Sequence, residues 1–499
     1  MLSEFDPRLD YRFPDYDLDT LIARLRPVLP ADGLLSAPEA LRVYECDGLA
    51  AYRSLPGLVA LPRTTEEVRG VLMACRDMRV PVVARGAGTG LSGGALPFPG
   101  CVLLSLSRFD KILAVDAEAR VARVQPGVRN LALSETAKPF GLFYAPDPSS
   151  QAACSIGGNV AENAGGVHCL KYGLTVNNIA ALEIVTLDGE VLRLGGEALD
   201  APGFDLLALM TGSEGLLAVV TAVTVRLLPM PVHARALLAA FGQARHAGEA
   251  VAAIIAAGVI PAGLEMMDQL AIIAAERFCN AGYPTNAKAI LLVELDGEEE
   301  DVAIELERVA GICRAAGATE VRLARDEAER LRFWAGRKAA FPAMGRMAPD
   351  YYCIDGTIPR ARLADVLDEI ARLSAQHRLP VANVFHAGDG NLHPLLLYDA
   401  RRKGQLDRAE ALGGAILELC VEVGGTITGE HGVGREKINQ MCVQFSEAEL
   451  KAFAALKAAF DPIGLLNPGK AVPTLARCAE FGAMHVHGGA LPFAHLDRL

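Results

Sequence analysis

The sequence contains neither a close pair of cysteines nor a long uninterrupted run of apolar residues. Its eleven cysteines are scattered without a CxxC pair, and their number is odd. This pattern favours a reduced cytoplasmic protein over a disulfide framework, and no cysteine run is dense enough to hold an iron–sulfur centre. The longest apolar stretch, residues 250–264, contains Gly258, Pro261 and Gly263 and is too short to cross a bilayer.

An excess of positive charge is also missing. The chain has 48 Lys and Arg residues against 60 Asp and Glu residues, a net charge of −12, and its pI is near 5.4. This balance argues against nucleic acid or an anionic membrane surface as the main partner, so any anionic ligand must be held by local donors. The N-terminal residues 1–13 are charged and interrupted by proline, which is not the pattern of a signal peptide. We therefore expect a soluble protein.

What the sequence has instead is glycine, in three clusters. The chain of 499 residues, of which 51% are apolar, is long enough for two or three domains. A helix over residues 66–78, capped by Thr64 or Thr65, precedes a short buried strand over residues 80–84. That strand ends in RGAGTGLSGG, residues 85–94. Its glycines let the backbone approach a ligand and turn N–H groups toward an anion such as a diphosphate.

This loop differs from the dinucleotide-binding fingerprint of a βαβ unit. No helix follows Gly90, and the next strong element, CVLLSLS, is another strand. A flexible surface loop is the alternative. Residues 144–166 are again small, polar and glycine-rich, and residues 212–215 form a third tight turn before a strand. Three such loops indicate one extended ligand that is contacted at several points.

A predicted hairpin, FHAGDGNLHP at residues 385–394, brings two histidines together. Asp389-Gly390 is a strong signal for a two-residue type I′ turn. With that turn, His386 faces His393 directly across the two strands. Their Cβ atoms are then roughly 5 Å apart, a separation that a transition metal can bridge. The alternative is that both are ordinary strand histidines, one solvated and one hydrogen-bonded.

From about residue 236 the pattern changes to strands that alternate with long helices, which predicts a separate sheet-and-helix domain. Ser446 and Glu449 then form a capping box for a helix that runs to about Phe460. The predicted strands are ALLAAFG, AGLEMMD, AILLVELDG, ATEVRLA, YYCIDGTIP and VANVFHA, and the predicted helices cover residues 243–257, 298–317, 326–340, 360–378 and 406–423.

Glu430 and His431 lie in a glycine-flanked loop, GGTITGEHGVG, behind a short predicted strand. Such a loop suits functional side chains on a rigid frame. Because neighbouring residues of an extended chain point in opposite directions, these two residues should have different roles. Glu430 with the two hairpin histidines makes a three-ligand site with open positions, typical of catalytic zinc or a similar divalent ion. A salt bridge is the alternative for Glu430.

These motifs together resemble the FAD-linked oxidase superfamily typified by vanillyl-alcohol oxidase, and within it the FAD-carrying D subunits of bacterial glycolate oxidases. The resemblance includes YECDGLAAYR near the start and FGAMHVH near the end, so it covers nearly the whole chain. Its other motifs are RGAGTGLSGG, PDPSSQ, CSIGGNVAENAGG, TGSEG, FHAGDGNLHP, GEHGVGREK and GLLNPGK.

The resemblance implies an α+β fold of three parts. These are an FAD-binding domain of two subdomains over residues 1–232, a substrate cap domain with an antiparallel sheet and the metal site over residues 233–445, and a C-terminal segment, 446–499, that returns to the FAD-binding domain. Relatives that attach FAD covalently have a histidine where this chain has Thr89, so we expect non-covalent FAD. For Asn467, a plain Asn-Pro turn is the alternative. The flavin contacts implied by the resemblance are Arg85, Gly86, Ala87, Gly88, Thr89, Gly90, Gly93, Gly94, Pro146, Asp147, Ser150, Gly157, Gly158, Asn159, Asn163, Gly212, Glu214, Gly215 and Asn467.

The resemblance also assigns the metal site. His386, His393 and Glu430 match the metal ligands of the D-2-hydroxyacid dehydrogenases in this family, and His431 matches their catalytic base. The expected metal is zinc, with manganese or iron as alternatives. Asp389 is a rival ligand, but an aspartate in a hairpin turn points away from the strand pair.

Arg337 matches the arginine that binds the substrate carboxylate in those relatives, a task that suits its two-donor fork. A surface charge on a helix is the alternative. Ala339, Ala340 and Phe341 follow, which indicates a small substrate. The predicted reaction is oxidation of glycolate, and also of D-lactate, to the 2-oxoacid, with hydride passing to flavin N5 and the hydroxyl proton to His431.

The expected partners follow from the lack of an iron–sulfur motif. The resemblance implies further glycolate oxidase subunits, one of them carrying iron–sulfur clusters, that pass electrons toward the membrane. The expected location is the cytoplasm, with peripheral association at the inner face of the cell membrane only through those partners. The alternatives are a D-lactate dehydrogenase that acts alone and a flavin-bearing electron-transfer subunit whose metal site is structural.

Overall fold

The computed structural model describes residues 15–198 and 203–473, and these form two compact units. Within these ranges the chain passes into the second unit twice and returns each time. The FGAMHVH motif lies outside the described residues. The first unit contains residues 15–165, 173–230 and 430–473, and the second contains residues 166–172 and 231–429.

The limits of the units differ in part from those predicted. The division after Met230 lies close to the predicted boundary at residue 232, but the chain returns to the first unit at Glu430 rather than at residue 446. The sequence does not predict the excursion of residues 166–172. The capping box at Ser446 marks a helix start, and a helix start does not reveal which unit the preceding loop packs on.

The first sheet of the first unit has four strands. Its helix Thr65–Asp77 begins at Thr64, whose side chain accepts the N–H of Glu67, so that Thr64 and not Thr65 is the cap. The helix makes the crossover that parallel strands require, and its apolar face is buried. In spatial order the strands are Leu34–Leu35, Leu58–Ala60, Val102–Ser105 and Val82–Arg85, the last three parallel to one another.

The second sheet of the first unit has five antiparallel strands with a separate apolar core. Two separate sheets agree with the two subdomains expected. Its strands, in spatial order, are Ile112–Asp116, Val121–Val124, Val219–Arg226, Ile179–Val185 and Val191–Gly195. The other helices of this unit are Leu18–Leu25, Pro38–Leu41, Asn130–Ala137, Ile156–Glu162, Thr175–Asn178, Leu206–Met210, Met441–Gln444 and Glu447–Phe460, and Leu142–Phe143 pairs with Leu228–Pro229.

The second unit contains one seven-stranded sheet in which every neighbouring pair is antiparallel, as expected for the cap domain. The strand Gly263–Asp268 lies beside Val381–Phe385, the first strand of the predicted hairpin. In spatial order the strands are Ala318–Leu323, His233–Phe241, Ala289–Gly297, Gly263–Asp268, Val381–Phe385, Pro394–Tyr398 and Asp350–Cys353.

The five predicted helices of this unit are present, and the structure adds others. Gln269–Cys279 is one that the sequence reading missed, although Asp268 caps it by accepting the N–H of Ala271. The predicted strand YYCIDGTIP is interrupted, because Gly356–Thr357 pairs with Asn391–Leu392 in a small separate ladder. The helices are Cys169–Tyr172, Ala244–Ala256, Gln269–Cys279, Glu299–Ala315, Glu327–Lys338, Ala340–Met344, Leu363–His377 and Gln405–Glu422. Within the described residues, none of the helices is both long and apolar enough to span a bilayer.

Candidate active site

The hairpin forms, but its register differs from the prediction by two residues. His386 pairs with Asn391, and the N–H of Val384 donates to the carbonyl of His393 at 3.3 Å. The predicted facing of His386 and His393 is therefore wrong, and they are diagonal neighbours. Because side chains alternate with a period of two, a two-residue shift keeps both histidines on the same face of the sheet.

The turn chemistry explains the shift. A type I′ turn needs positive φ at both central residues, but only Gly390, at φ 82°, has it, whereas Asp389 does not. Asp389 instead accepts the N–H of Asn391 with its own side chain at 3.1 Å, and residues 387–390 form a four-residue loop. A methyl group at Gly390 would lie 2.2 Å from the carbonyl oxygen of Ile358. Tertiary packing therefore fixes the loop that the dipeptide alone did not determine.

His386 and His393 form a buried, perpendicular pair of imidazoles. Their ring centroids are 5.0 Å apart with an interplanar angle of 87°, and a ring nitrogen of each lies within 4.8 Å of the other. The side chains are 3% and 1% exposed, so neither is the solvated strand histidine of the alternative. His393 Nδ1 lies 3.4 Å from the carbonyl oxygen of Ile354. With a proton on Nδ1 bound to that oxygen, Nε2 carries the lone pair that a metal requires.

Glu265 connects this pair to Arg337, and the sequence reading did not single it out. Its Oε1 lies 2.8 Å from Nδ1 of His386, and its Oε2 lies 2.6 Å from Nη2 of Arg337. Burial acts to raise the pKa of Glu265, but Arg337 and His386 outweigh it and hold the pKa below its usual value. The available signal was a carboxylate between apolar residues in the strand GLEMMD.

Arg337 is completely buried, so the alternative of a surface charge on a helix is wrong. Its Nη2 forms an ion pair with Glu265, whereas its Nε and Nη1 have no hydrogen-bond partner among the described residues. Buried guanidinium donors without acceptors are costly. They are therefore atoms at which an anionic group would be stabilised.

The ring of Phe341 and the thiol of Cys353 lie beside His393. The ring of Phe341 is 6.1 Å from that of His393 and 6.5 Å from that of Tyr351, in edge-on arrangements. The sulfur of Cys353 lies within 4.8 Å of a ring nitrogen of His393. Phe341 directly follows Ala339 and Ala340 at the end of the helix that bears Arg337.

The segment that leads to Glu430 is anchored in the second unit. The side chain of Asp355 accepts the hydroxyl of Thr428 at 2.7 Å and the N–H of Gly429 at 3.0 Å. A methyl group at Gly429 would lie 2.5 Å from the side chain of Asn391 in the hairpin. The peptide bond that joins Gly429 to Glu430 therefore starts beside the hairpin.

Glu430 and His431 themselves begin the returning segment of the first unit. The chain bends at residues 429–431 instead of running extended, and Oε1 of Glu430 lies 4.0 Å from Nε2 of His431. The premise that an extended chain points these side chains in opposite directions is therefore wrong. Both side chains are mostly buried.

In the first unit, the loop at residues 85–94 has one glycine that is open for close approach. A methyl group at Gly90 would meet no atom within 4 Å, whereas one at Gly86 would lie 2.3 Å from Ser155 Oγ and one at Gly88 would lie 2.2 Å from Arg85 Nη2. Arg85 also donates to the carbonyl of Cys46 at 2.7 Å. The glycines that are packed shape the loop, and the open space beside the backbone of Gly90 fits a ligand that approaches as closely as a diphosphate does.

The Pro146–Asn163 block is built mainly for packing. Asn130 donates to the carbonyl of Pro146 at 2.9 Å and to Asn159 Oδ1 at 3.1 Å. A methyl group at Gly157 would lie 2.5 Å from Pro126, while one at Gly158 would meet only Ser155 Oγ, at 3.3 Å. Gly158 is thus the position of this pair at which the backbone can be approached.

The turn at residues 212–215, the third glycine-rich segment, and the loop at residues 85–94 are both bound by Asn467. Gly212 and Gly215 have φ values of 81° and 69°. The amide of Asn467 donates to the carbonyls of Gly94 at 3.0 Å and Glu214 at 2.7 Å. Lys470 Nζ donates to the carbonyl of Gly94 at 2.8 Å and to Asn467 Oδ1 at 2.8 Å. Asn467 therefore connects two of the three glycine-rich loops.

Comparisons with known proteins find two family models that match this chain. A family model described as FAD binding domain matches residues 56–195, and one described as FAD linked oxidases, C-terminal domain, matches residues 230–471. The glycolate oxidase subunit GlcD of Escherichia coli (strain K12) is 64% identical over 494 residues, which cover 99% of this chain and 99% of that protein. The D-lactate dehydrogenase of Anaerostipes hadrus is 32% identical over 460 residues, 90% of this chain and 96% of that protein.

The fold also matches a solved flavoprotein structure. The structure of p-cresol methylhydroxylase with substrate bound superposes with a TM-score of 0.78 at 17% identity, covering 92% of this chain and 97% of that chain. At this identity the likeness concerns the fold alone. The chain therefore belongs to the FAD-linked oxidase family, has the fold of the vanillyl-alcohol oxidase-type flavoproteins, and is an FAD-linked oxidoreductase.

Proposed function

We propose that the protein oxidises a short 2-hydroxyacid, glycolate and also D-lactate, to the corresponding 2-oxoacid. The observation that carries this proposal is the buried pair of imidazoles, His386 and His393, with ring nitrogens within 4.8 Å of each other and Glu265 bound to one of them. Relatives described as a glycolate oxidase subunit and as a D-lactate dehydrogenase support the substrate class.

His386 and His393 would hold a divalent ion together with Glu430. Two buried imidazoles, each with Nδ1 beside an acceptor, are a donor set that suits zinc, with manganese or iron as alternatives. The covalent link from Gly429, which lies beside the hairpin, supports Glu430 as the third ligand. Such an ion would polarise the substrate hydroxyl and lower its pKa.

The chain's other residues would orient the substrate and move its proton. Arg337, whose Nε and Nη1 have no hydrogen-bond partner among the described residues, would bind the substrate carboxylate. His431 would take the hydroxyl proton as the C–H bond breaks. When bound, without a covalent link, FAD would supply a hydride acceptor at N5 for the electron pair of the C–H bond, while His431 would hold the hydroxyl proton.

The same residues favour a small substrate. Phe341 is in edge contact with His393, and Ala339 and Ala340 precede it, so the sequence at this point offers no cation or hydroxyl for a second carboxylate. The proposed substrate accordingly has a hydrogen atom or a methyl group on its carbinol carbon.

The reduced flavin would pass its electrons to partner subunits. The support is that the Escherichia coli relative is itself described as a subunit, and that the eleven cysteines of this chain include no CxxC pair. We propose that one partner carries iron–sulfur clusters and that any membrane association at the inner face of the cell membrane occurs through partners.

Anaerobic mixing of the flavin-loaded protein with glycolate, D-lactate and L-lactate tests the proposal. Glycolate is expected to bleach the oxidised flavin fastest, D-lactate more slowly and L-lactate least. Preferential bleaching by D-lactate would favour the rival D-lactate dehydrogenase. Bleaching by none of the three would favour a flavin-bearing electron carrier with a structural metal site.

A histidine substitution tests the proposed base. His431→Ala should abolish substrate bleaching while FAD stays bound. His233→Ala is the matched control, because its side chain is 42% exposed and faces Glu299 at 4.0 Å in the cap unit. Unchanged bleaching in His431→Ala would remove this residue from the mechanism.

A further inference from the structure

The backbone directly after His431 is held in an unusual conformation. Gly432 and Gly434 have positive φ values of 78° and 52°, and the N–H groups of Val433 and Gly434 both point at one carboxylate. They donate to Oε1 and Oε2 of Glu214, each at 2.7 Å. Two converging backbone N–H groups form a small anion-binding nest, and here its anion is a side chain of the same protein.

Glu214 is itself a conformational exception. Its φ is 51°, in the left-handed region, which is less favourable for a residue with a side chain than for glycine. Its neighbours Gly212 and Gly215 also have positive φ. Non-glycine residues in this region are retained where the surroundings force them, and such positions cluster at functional sites. A glutamate at this turn therefore indicates a task for its carboxylate.

The main chain of Glu214 is fixed from two further sides. Its N–H donates to the carbonyl of Ala161 at 2.8 Å, and its carbonyl accepts from Asn467 Nδ2 at 2.7 Å. The residue is 6% exposed. It therefore ties the end of the helix Ile156–Glu162, the turn at residues 212–215 and Asn467 to the segment that follows His431.

Other contacts hold the same segment without replacing Glu214. Lys437 Nζ donates to the carbonyl of Gly432 at 2.8 Å, and the carbonyl of Ser92 accepts the N–H groups of Arg435 and Glu436 at 2.9 and 3.0 Å. A methyl group at Gly432 would lie 2.0 Å from Glu162 Oε2. The carbonyls of Val433 and Gly434 accept the N–H groups of Lys437 and Ala471 at 3.0 and 2.9 Å, whereas the N–H groups of Val433 and Gly434 donate to Glu214.

We propose that Glu214 is a positioning residue for the proposed reaction: it binds the backbone of Val433 and Gly434 and thereby fixes the orientation of His431. This inference rests on the proposed function, since it assumes that His431 is the base. It differs from the flavin contact that the TGSEG motif implies, because both carboxylate oxygens of Glu214 are engaged by the loop that follows His431.

A double-mutant cycle tests the proposal. The rate constant for flavin reduction by glycolate is measured in stopped flow for the parent, Glu214→Gln, His431→Asn and the double variant, all in the full chain loaded with FAD. A glutamine offers one acceptor where the glutamate offers two, so one N–H loses its partner and the loop loosens. We expect Glu214→Gln to slow reduction by about 10- to 100-fold, because a misplaced catalytic group costs that much.

In the His431→Asn background the same change should slow reduction by less than about threefold, since two residues that act through one another are not additive. FAD stoichiometry and the melting temperature of each variant are measured in parallel. Glu329→Gln is the matched control. Its buried carboxylate also accepts a backbone N–H, that of Arg325, at 2.9 Å, but in the cap unit, and its rate should equal that of the parent.

Each result decides between the alternatives. An equal effect of Glu214→Gln in both backgrounds, a parent-like rate, or loss of FAD from Glu214→Gln would overturn the positioning role and leave the proposed function intact. A parent-like rate in His431→Asn would instead overturn the assignment of the base, and the positioning role with it.

Discussion

Glu265 and His386 form a carboxylate–imidazole contact of 2.8 Å between neighbouring strands of the cap sheet. The opposite oxygen of the same carboxylate lies 2.6 Å from Arg337. One buried anion therefore orients a proposed metal ligand and, on its other side, the proposed binder of the substrate carboxylate. Buried ion pairs of this kind are weak contributors to stability, so the arrangement is better explained by the orientation it enforces.

Replacing Glu265 should weaken metal binding. Glu265→Gln removes the charge that holds the proton on Nδ1 of His386, and loss of such a partner lowers metal affinity by about 10- to 100-fold. Titration of the metal-free protein with Zn²⁺ against a chromophoric chelator measures the effect.

The matched control for this prediction is Glu294→Gln in the neighbouring strand. Glu294 also joins a histidine and an arginine, with His168 at 3.5 Å and Arg330 at 2.5 Å, but neither belongs to the proposed metal site. Its substitution should lower the melting temperature and leave the zinc affinity unchanged. Equal losses of affinity in both variants would mean that Glu265 acts through general stability.

A methyl group at Gly390 should lower the melting temperature by more than backbone strain at a positive φ explains. Gly390→Ala forces alanine to a φ of 82° and places its Cβ 2.2 Å from Ile358 O. Gly404→Ala has a φ of 75° but meets no atom within 4 Å, so it measures the strain of about 1–2 kcal/mol by itself. Thermal melts of the two variants should differ, and zinc binding should weaken only in Gly390→Ala. Equal melting temperatures would contradict the tight packing of the loop.

Asp268 should make stability depend on pH. Burial raises the pKa of Asp268 to about 6, against its hydrogen bonds to Ala271 and Asn383, which lower it. Because the folded state keeps this proton at a higher pH than the unfolded state does, the free energy of unfolding falls as the pH rises from about 4 to about 6. Asp268→Asn keeps a helix-capping oxygen and removes the titration. The melting temperature of the variant relative to the parent should therefore rise across this interval, and a constant difference would exclude the effect.

Trichloroacetic acid should release the flavin from the protein. We expect Thr89 to occupy the position of the histidine that binds FAD covalently in some relatives, and a threonine does not form that link. After acid precipitation the yellow colour and the FAD absorbance spectrum should be in the supernatant. Colour retained in the washed pellet would show a covalent link elsewhere.

Removing the ring of Phe341 should widen the range of substrates. Phe341→Ala opens space beside His393, and each buried methylene of a longer substrate is worth about 0.8 kcal/mol. The ratio of kcat/KM for 2-hydroxyhexanoate to that for glycolate should rise by about tenfold or more. Phe278→Ala, whose side chain is 40% exposed, is the control and should leave the ratio unchanged. An unchanged ratio in Phe341→Ala would place the boundary of the substrate site elsewhere.

Much of the fold was accessible from local patterns. The cap at Thr64, the capping box of Ser446 and Glu449, and the five predicted cap-domain helices depend on residues close together in sequence, and they are present. The missed helix Gln269–Cys279 follows its strand without a turn, because Asp268 both ends the strand and caps the helix. A change from strand to helix is easier to predict from the sequence where a loop separates the two elements.

Glu265 shows what remained outside sequence reasoning. Its partners His386 and Arg337 are distant in sequence, and only the order of strands in the sheet brings the three together. The role of Glu214 was equally inaccessible. The TGSEG motif predicts a turn, but the partners of the Glu214 carboxylate are the N–H groups of residues 433 and 434, more than two hundred positions later.

The sequence by itself determined the family, the glycine-rich loops and the residue types of the candidate site, since motifs, turn residues and periodicity are local properties of the chain. Only the tertiary structure decided the register of the hairpin, the bend at Glu430 and the buried partners of His386 and Arg337. The physical reason is that these depend on which backbone and side-chain atoms compete for the same space. Two contacts show this, because each forms only when distant segments meet. One is the packing of Gly390 on the carbonyl of Ile358, and the other is the binding of the Val433 and Gly434 N–H groups by Glu214.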